Sequence, residues 1–130
     1  MLVTVNLESE IPIYVQLKHQ IVEGIASARL KPGESLPSVR QFAADLGINM
    51  HTVNKTYLLL KKEGYIVIHK RSGVLIAPQE LMKDKNHEAR FETLLRPLIA
   101  EAVCKGVSRE VVLSLCTKIH RQMKGGKINA

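Results

Sequence analysis

Met50, His51, Thr52, Asn54 and Lys55 fall within six residues, and four of the five side chains carry hydrogen-bonding groups. An asparagine amide donates and accepts together, the pattern that pairs bidentately with adenine in a major groove. Threonine and histidine can reach base edges or phosphate oxygens, and a lysine ammonium suits a phosphate. His69, Lys70, Arg71 and Gly73 make a second cluster, basic and flexible enough to lie along a sugar–phosphate backbone or in a minor groove. Ser38 precedes a helical pattern, where a hydroxyl, free backbone N–H groups and the helix dipole can together hold a phosphate. Plainer readings compete. Thr52 and Asn54 can be ordinary solvated polar residues, loop cations are often solvated, and Met50 can be a gap-filler.

Other chemistry finds less support. Cys116 and His120 stand four apart, with Cys104 upstream, a set that a soft metal or a redox switch could use. Cys116 falls in an apolar stripe, however, where free cysteine commonly acts as a small hydrophobe. No metal and no other cofactor is expected. The chain has no P-loop, no glycine-rich dinucleotide turn and no His-Glu-x-x-His helix, so an enzyme is not expected either.

These residues need elements to position them. Val3, Val5 and Leu7 alternate with polar residues, predicting a short strand or an extended arm. Tyr14, Leu17, Ile21, Ile25 and Ala28 recur at helical spacing after Ile11-Pro12, and Lys31-Pro32-Gly33-Glu34 stops that helix. A short second helix runs from Ser38 through Val39, Phe42, Ala43 and Leu46 to Gly47, a natural C-terminal residue. Asn49 can cap a third helix, with Val53, Tyr57 and Leu60 inward and an end at Gly64. The Tyr57 ring is expected in the core with its hydroxyl at the surface. Two helices across a tight glycine turn make a helix-turn-helix, and base-reading residues then belong on the outward first turn of the third helix. Tyr65–His69 and Val74–Ala77 flank Lys70-Arg71-Ser72-Gly73 as a hairpin, the wing, which Pro78 ends.

Beyond Gln79 the period is helical again. Phe91, Leu94, Leu95, Leu98 and Ile99 form one stripe, interrupted by Pro97, which is expected to kink it or to mark a turn that lacks its backbone bond. Ser108 caps a last helix whose stripe includes Val112, Leu115, Cys116 and Ile119, and Gly125-Gly126 ends it before a loose tail. Two such helices form a hairpin too small to bury its own apolar faces. Each stripe needs the first domain or a second copy, and the second fits a DNA-binding protein, because symmetric operators need symmetric dimers. Phe91, Leu94, Leu95, Leu98, Ile99, Val112, Leu115 and Ile119 are therefore the dimerisation candidates. The expected architecture is mainly α with a small β-wing: a winged helix-turn-helix at 1–78 and a two-helix dimerisation segment at 79–130.

Bulk properties agree without locating the site. The 130 residues are 45% hydrophobic and 24% charged, without Trp, so an aliphatic core is available. The formal charge of +7 suits an anionic partner, but residues 1–80 hold nine Lys/Arg against seven Asp/Glu and residues 81–130 ten against five. The more basic half is the one expected to dimerise. Two cysteines, no signal-like leader in Met1–Leu7 and no long apolar run predict a cytoplasmic protein without a membrane span.

The run Leu30-Lys31-Pro32-Gly33-Glu34-Ser35-Leu36-Pro37-Ser38-Val39-Arg40-Gln41-Phe42-Ala43 resembles the GntR family of bacterial regulators. The likeness continues through Leu46-Gly47-Ile48, Thr52-Val53, Tyr57, Leu60 and Glu63-Gly64-Tyr65 to Gly73, with Pro12–Leu17 upstream. It implies that Arg40 is the second-helix arginine that touches DNA. Arginines common in other branches of the family would fall at Met50 and Asn54, so the operator is expected to differ from theirs. Only residues 79–130 follow the wing, too few for the family's usual large effector domain, which is similar to the YtrA subfamily with its short helical dimerisation tail. The resemblance implies a homodimeric regulator, most simply a repressor, of an inverted-repeat operator in double-stranded DNA; members of that subfamily often control transporter operons. It assigns no small-molecule effector. The alternative reading is a winged-helix module for protein–protein assembly with its DNA face idle.

Overall fold

The computed structural model describes residues 3–125, and the chain divides into two compact units after Met82. In the first unit α1 (Ile13–Ala26) follows Pro12, whose fixed φ suits a helix start, and buries Leu17, Ile21 and Gly24. Ala28, expected on the same stripe, lies past the helix with φ +63 and belongs to its stop. Residues 3–6 run extended without pairing into a sheet. Side-chain amides hold them in place of a neighbouring strand. Gln20 accepts from the Thr4 N–H at 3.0 Å and donates to its carbonyl at 2.5 Å. Gln16 treats Asn6 in the same way at 2.9 and 3.0 Å and also donates to the Ile11 carbonyl. Val3 and Val5 thereby pack on the core, whereas Leu7 is exposed.

Helix α2 (Val39–Leu46) is capped by Ser38, whose Oγ accepts from the Gln41 N–H at 3.1 Å. It ends at Gly47 in the left-handed region, φ +67, where a side chain would be strained. Helix α3 (Met50–Lys62) begins one short turn later, capped by Asn49, whose Oδ1 accepts from the His51 N–H at 2.7 Å. It buries Val53, Thr56, Tyr57 and Leu60. Between α1 and α2 lies β1 (Ser35–Leu36), a two-residue strand that the patterning did not reveal. It pairs antiparallel with β3 (Gly73–Ile76), which pairs on its other side with β2 (Ile66–His69), in the order β1-β3-β2. His69 stands opposite Gly73 at the tip, so the strands expected at Tyr65–His69 and Val74–Ala77 run one residue differently and Gly73, expected in the turn, opens β3. Leu17, Ile21, Leu36, Phe42, Val53, Tyr57, Leu60, Ile66 and Ile76 form one core where the three helices meet the sheet. At about 1.5–3 kcal/mol per fully buried large side chain, that cluster is the main stabilising term of the unit.

A short α4 (Gln79–Met82) completes this unit, four residues beyond the boundary expected at Pro78. Met82 packs on the core. Gly64, φ +89, approaches so closely that a Cβ there would run into the Leu81 carbonyl oxygen.

The second unit holds α5 (His87–Cys104) and α6 (Arg109–Gly125). Pro97 lies inside α5, which continues on both sides of it. Gly106, φ +80, closes α5, and Ser108 Oγ accepts from the Val111 N–H at 3.2 Å to open α6. No residue from 83 to 124 is buried. The stop expected at Gly125-Gly126 and the tail beyond it lie at and outside the limit of the described residues.

Candidate nucleic-acid interface

Helix α3 has two unlike faces. Val53, Thr56, Tyr57 and Leu60 are almost completely enclosed, and Met50, His51, Asn54 and Lys55 are exposed, with Thr52 half-buried between them. The inward face is anchored at both ends of its first turns. Thr56 Oγ1 lies 3.1 Å from the Tyr14 carbonyl on α1 and 3.1 Å from the Thr52 carbonyl on its own helix. Tyr57 stacks against Phe42 of α2 with ring centroids 6.0 Å apart. A buried, hydrogen-bonded face of this kind fixes the rotation of the helix, and so fixes which side chains point outward.

The outward residues differ in how free they are. No hydrogen bond among the described residues engages the His51 or Asn54 side chain, so each can accept a partner from outside. Lys55 Nζ sits 3.9 Å from the centre of the Tyr14 ring. An exposed contact of this type is worth about 0.5–1 kcal/mol and holds the ammonium beside the first turns of α3. Tyr14 was legible only as one member of an apolar stripe. Its ring supports a candidate phosphate contact, a role that spacing alone does not signal.

Tyr57 departs from expectation. Its hydroxyl is not at the surface: the residue is 1% exposed, and Oη donates to the Pro37 carbonyl at 2.6 Å. Burial pushes its pKa far above the usual tyrosine range, so it remains a protonated donor. The bond ties α3 to the segment that enters α2, immediately before Ser38. The Ser38 hydroxyl oxygen is taken up in capping α2 and the residue is exposed, as is Arg40 two positions on. Ser38 caps α2 and Arg40 stands on its first turn, where the free N–H groups and helix dipole favour an anion.

His69, Lys70, Arg71 and Gly73 are all exposed at the hairpin tip. Gly73 has φ +78, which the turn requires. The structure thus places the eleven candidate residues on three exposed features of the first unit: the start of α2, the first turns of α3 and the wing tip.

The dimerisation candidates divide into two faces. Phe91, Leu94 and Leu98 of α5 are 55–62% exposed, and Leu115 and Ile119 of α6 are 47% and 52% exposed. Leu95, Ile99 and Val112 are half-buried. Leu113, 48% exposed, joins the exposed set although it lies off the predicted stripe. Cys104 and Cys116 are free and exposed, so Cys116 is not a buried hydrophobe within its own chain. Among the described residues no group of three or more His, Cys, Asp or Glu is arranged to hold a metal ion, and no helix is long and apolar enough to cross a membrane.

A family model described as bacterial regulatory proteins, gntR family, matches residues 13–76. The HTH-type transcriptional repressor YtrA of Bacillus subtilis (strain 168) is 33% identical over 131 residues, covering 98% of this chain and 99% of its own. The crystal structure of a transcriptional antiterminator from Listeria monocytogenes EGD-e matches with a TM-score of 0.88 at 31% identity, covering 96% of this chain and 94% of that one. YtrA from Sulfolobus acidocaldarius, a GntR-family transcription factor, matches with a TM-score of 0.61 at 38% identity, covering 80% of this chain and 99% of its own.

Proposed function

Because the chain belongs to the gntR family of bacterial regulatory proteins, we propose that it is a sequence-specific DNA-binding transcriptional regulator, a cytoplasmic repressor that binds an inverted-repeat operator as a homodimer. The observation that carries this reading is the division of α3 into a locked inner face and an exposed outer face on which the His51 and Asn54 side chains make no hydrogen bond among the described residues. Such a helix enters a major groove with its N-terminal residues toward base edges. In this reading Asn54, Thr52, His51 and Met50 meet bases. Lys55, held on Tyr14, meets a phosphate. Ser38 and Arg40 bind backbone phosphate at the start of α2, and His69, Lys70, Arg71 and Gly73 follow the backbone or the minor groove beside it.

The first unit is the DNA-binding domain and the second the dimerisation segment. Phe91, Leu94 and Leu98, with Leu115 and Ile119, form apolar surface that the described residues leave about half exposed. A second copy supplies the matching surface in an isologous contact, with Leu95, Ile99 and Val112 closing in behind. Repression then follows from occupancy, since a bound dimer excludes competing proteins from the same stretch of duplex. The repressor assignment takes its support from the function named for the Bacillus relative.

The test is binding to fragments selected from genomic DNA, measured across a salt series. A regulator shows one enriched symmetric site and a log–log salt slope of several units, about 0.9 per phosphate contact. A protein–protein module shows neither an enriched site nor a steep slope, and that result would overturn the proposal.

A further inference from the structure

Met50 opens α3 and is 45% exposed. Ile48, two residues earlier, packs on the core, but Met50 is not among the side chains that do. Its role is therefore not gap-filling. An apolar thioether that stays nearly half exposed at the leading end of a helix, among polar neighbours, is open to a partner from outside its own domain. It lies one helical turn before Asn54 on the same row, with the spacing of four that superposes side chains. The two then face neighbouring positions of whatever the helix enters.

Resting on the reading of α3 as the base-contacting helix, we infer that Met50 reads the 5-methyl group of a thymine, beside the base pair that Asn54 reads as adenine. Among the groups displayed in a major groove, the thymine methyl is the one apolar feature. Cytosine presents an amino donor there, and guanine presents two acceptors. A thioether can satisfy neither, so G·C pairs leave their polar groups without partners against Met50. The methyl instead gains apolar contact and loses hydration together with the side chain. The row Met50–Asn54 thus selects an A·T-containing step in each half-site.

The experiment uses the full chain and its selected operator. Each thymine of one half-site is replaced singly by deoxyuridine, which removes only the methyl group. One substitution should weaken wild-type binding about fourfold, corresponding to ~0.8 kcal/mol for one buried methyl-sized group. Met50→Ala should bind the thymine operator more weakly and be indifferent to that same substitution. Leu58→Ala, which removes a comparably exposed apolar side chain of α3 (Leu58 is 53% exposed) beyond its first turns, should keep the wild-type response. Met50→Arg should move the preference at the same base pair from thymine to guanine, whose two acceptors fit a guanidinium. The inference is overturned if wild type ignores every deoxyuridine, if the selected half-site holds no thymine, or if Met50→Ala retains the full methyl response. Failure of the underlying reading looks different: no operator is enriched and duplex binding lacks salt dependence.

Discussion

At the scale of single residues, Tyr57 joins the core to the interface. Its ring fills the space between α2 and α3, and its hydroxyl holds the Pro37 carbonyl at 2.6 Å, one residue before the Ser38 cap. Tyr57→Phe keeps the ring and removes the bond, leaving a carbonyl without its donor. The expected loss is about 1–2 kcal/mol of stability, with weaker operator binding as the start of α2 loosens. The hydroxyl also titrates in a defined direction. Burial raises its pKa in the folded state, whereas the unfolded chain releases the proton near pH 10. The stabilisation is complete below that pH and is lost as pH rises above it, because the unfolded state then binds fewer protons than the folded one. Urea titrations between pH 8 and 11 should show a steeper alkaline decline for wild type than for Tyr57→Phe. Parallel curves would mean that the hydroxyl is not the buried donor described.

At the scale of elements, α2 and α3 divide positioning from readout. Arg40 stands on the first turn of α2 and Asn54 on the exposed face of α3. Arg40→Ala should weaken binding to operator and random duplex alike and make the salt slope shallower by about one unit. Asn54→Ala should cost roughly 1–3 kcal/mol on the operator, spare random DNA and relax preference at one base pair. Equal losses of Asn54→Ala on both duplexes would remove it from the base-reading set. Much of this arrangement was legible beforehand. Ser38, Gly47 and Asn49 are local signals, a cap, a left-handed stop and a second cap, whose chemistry acts within a few residues. Strand β1 was not legible, because two residues carry no period and Ser35–Leu36 becomes a strand only by pairing with β3.

At the scale of the whole molecule, the proposed dimer can be tested apart from the DNA contacts. Wild type should sediment as a dimer at micromolar concentration. Leu98→Asp or Leu115→Asp would place an unpaired charge in the apolar contact and should yield monomers with an intact first unit and much weaker operator binding. A monomeric wild type would remove the main support for a dimerising second unit. A two-fold dimer also presents its two recognition helices to one side of the duplex, so half-sites should be inverted and about 10 base pairs apart. Inserting about five base pairs turns one half-site by half a turn and should abolish cooperative binding. Footprints that protect both half-sites undiminished after that insertion would show independent subunits.

The order of the five longer helices and the wing hairpin, the caps at Ser38, Asn49 and Ser108 and the set of outward residues on α3 were written in the sequence, because periodicity and capping depend on neighbours within one or two turns. Tertiary structure decided what depends on residues far apart in the chain. Tyr57 turned its hydroxyl inward because Pro37, twenty residues away, offers a carbonyl in the core. Lys55 settled over Tyr14 because the buried faces of α1 and α3 bring those two positions together. The extended arm found its partners in Gln16 and Gln20, whose amides were unremarkable polar positions on a helix. In the second unit the stripes were read as apolar and as too large for the two helices to bury between them, and Phe91, Leu94, Leu98, Leu115 and Ile119 stand about half exposed. The physical reason is the same throughout. Local sequence sets the conformation of an element and which side of it is apolar, and what covers that side depends on distant partners.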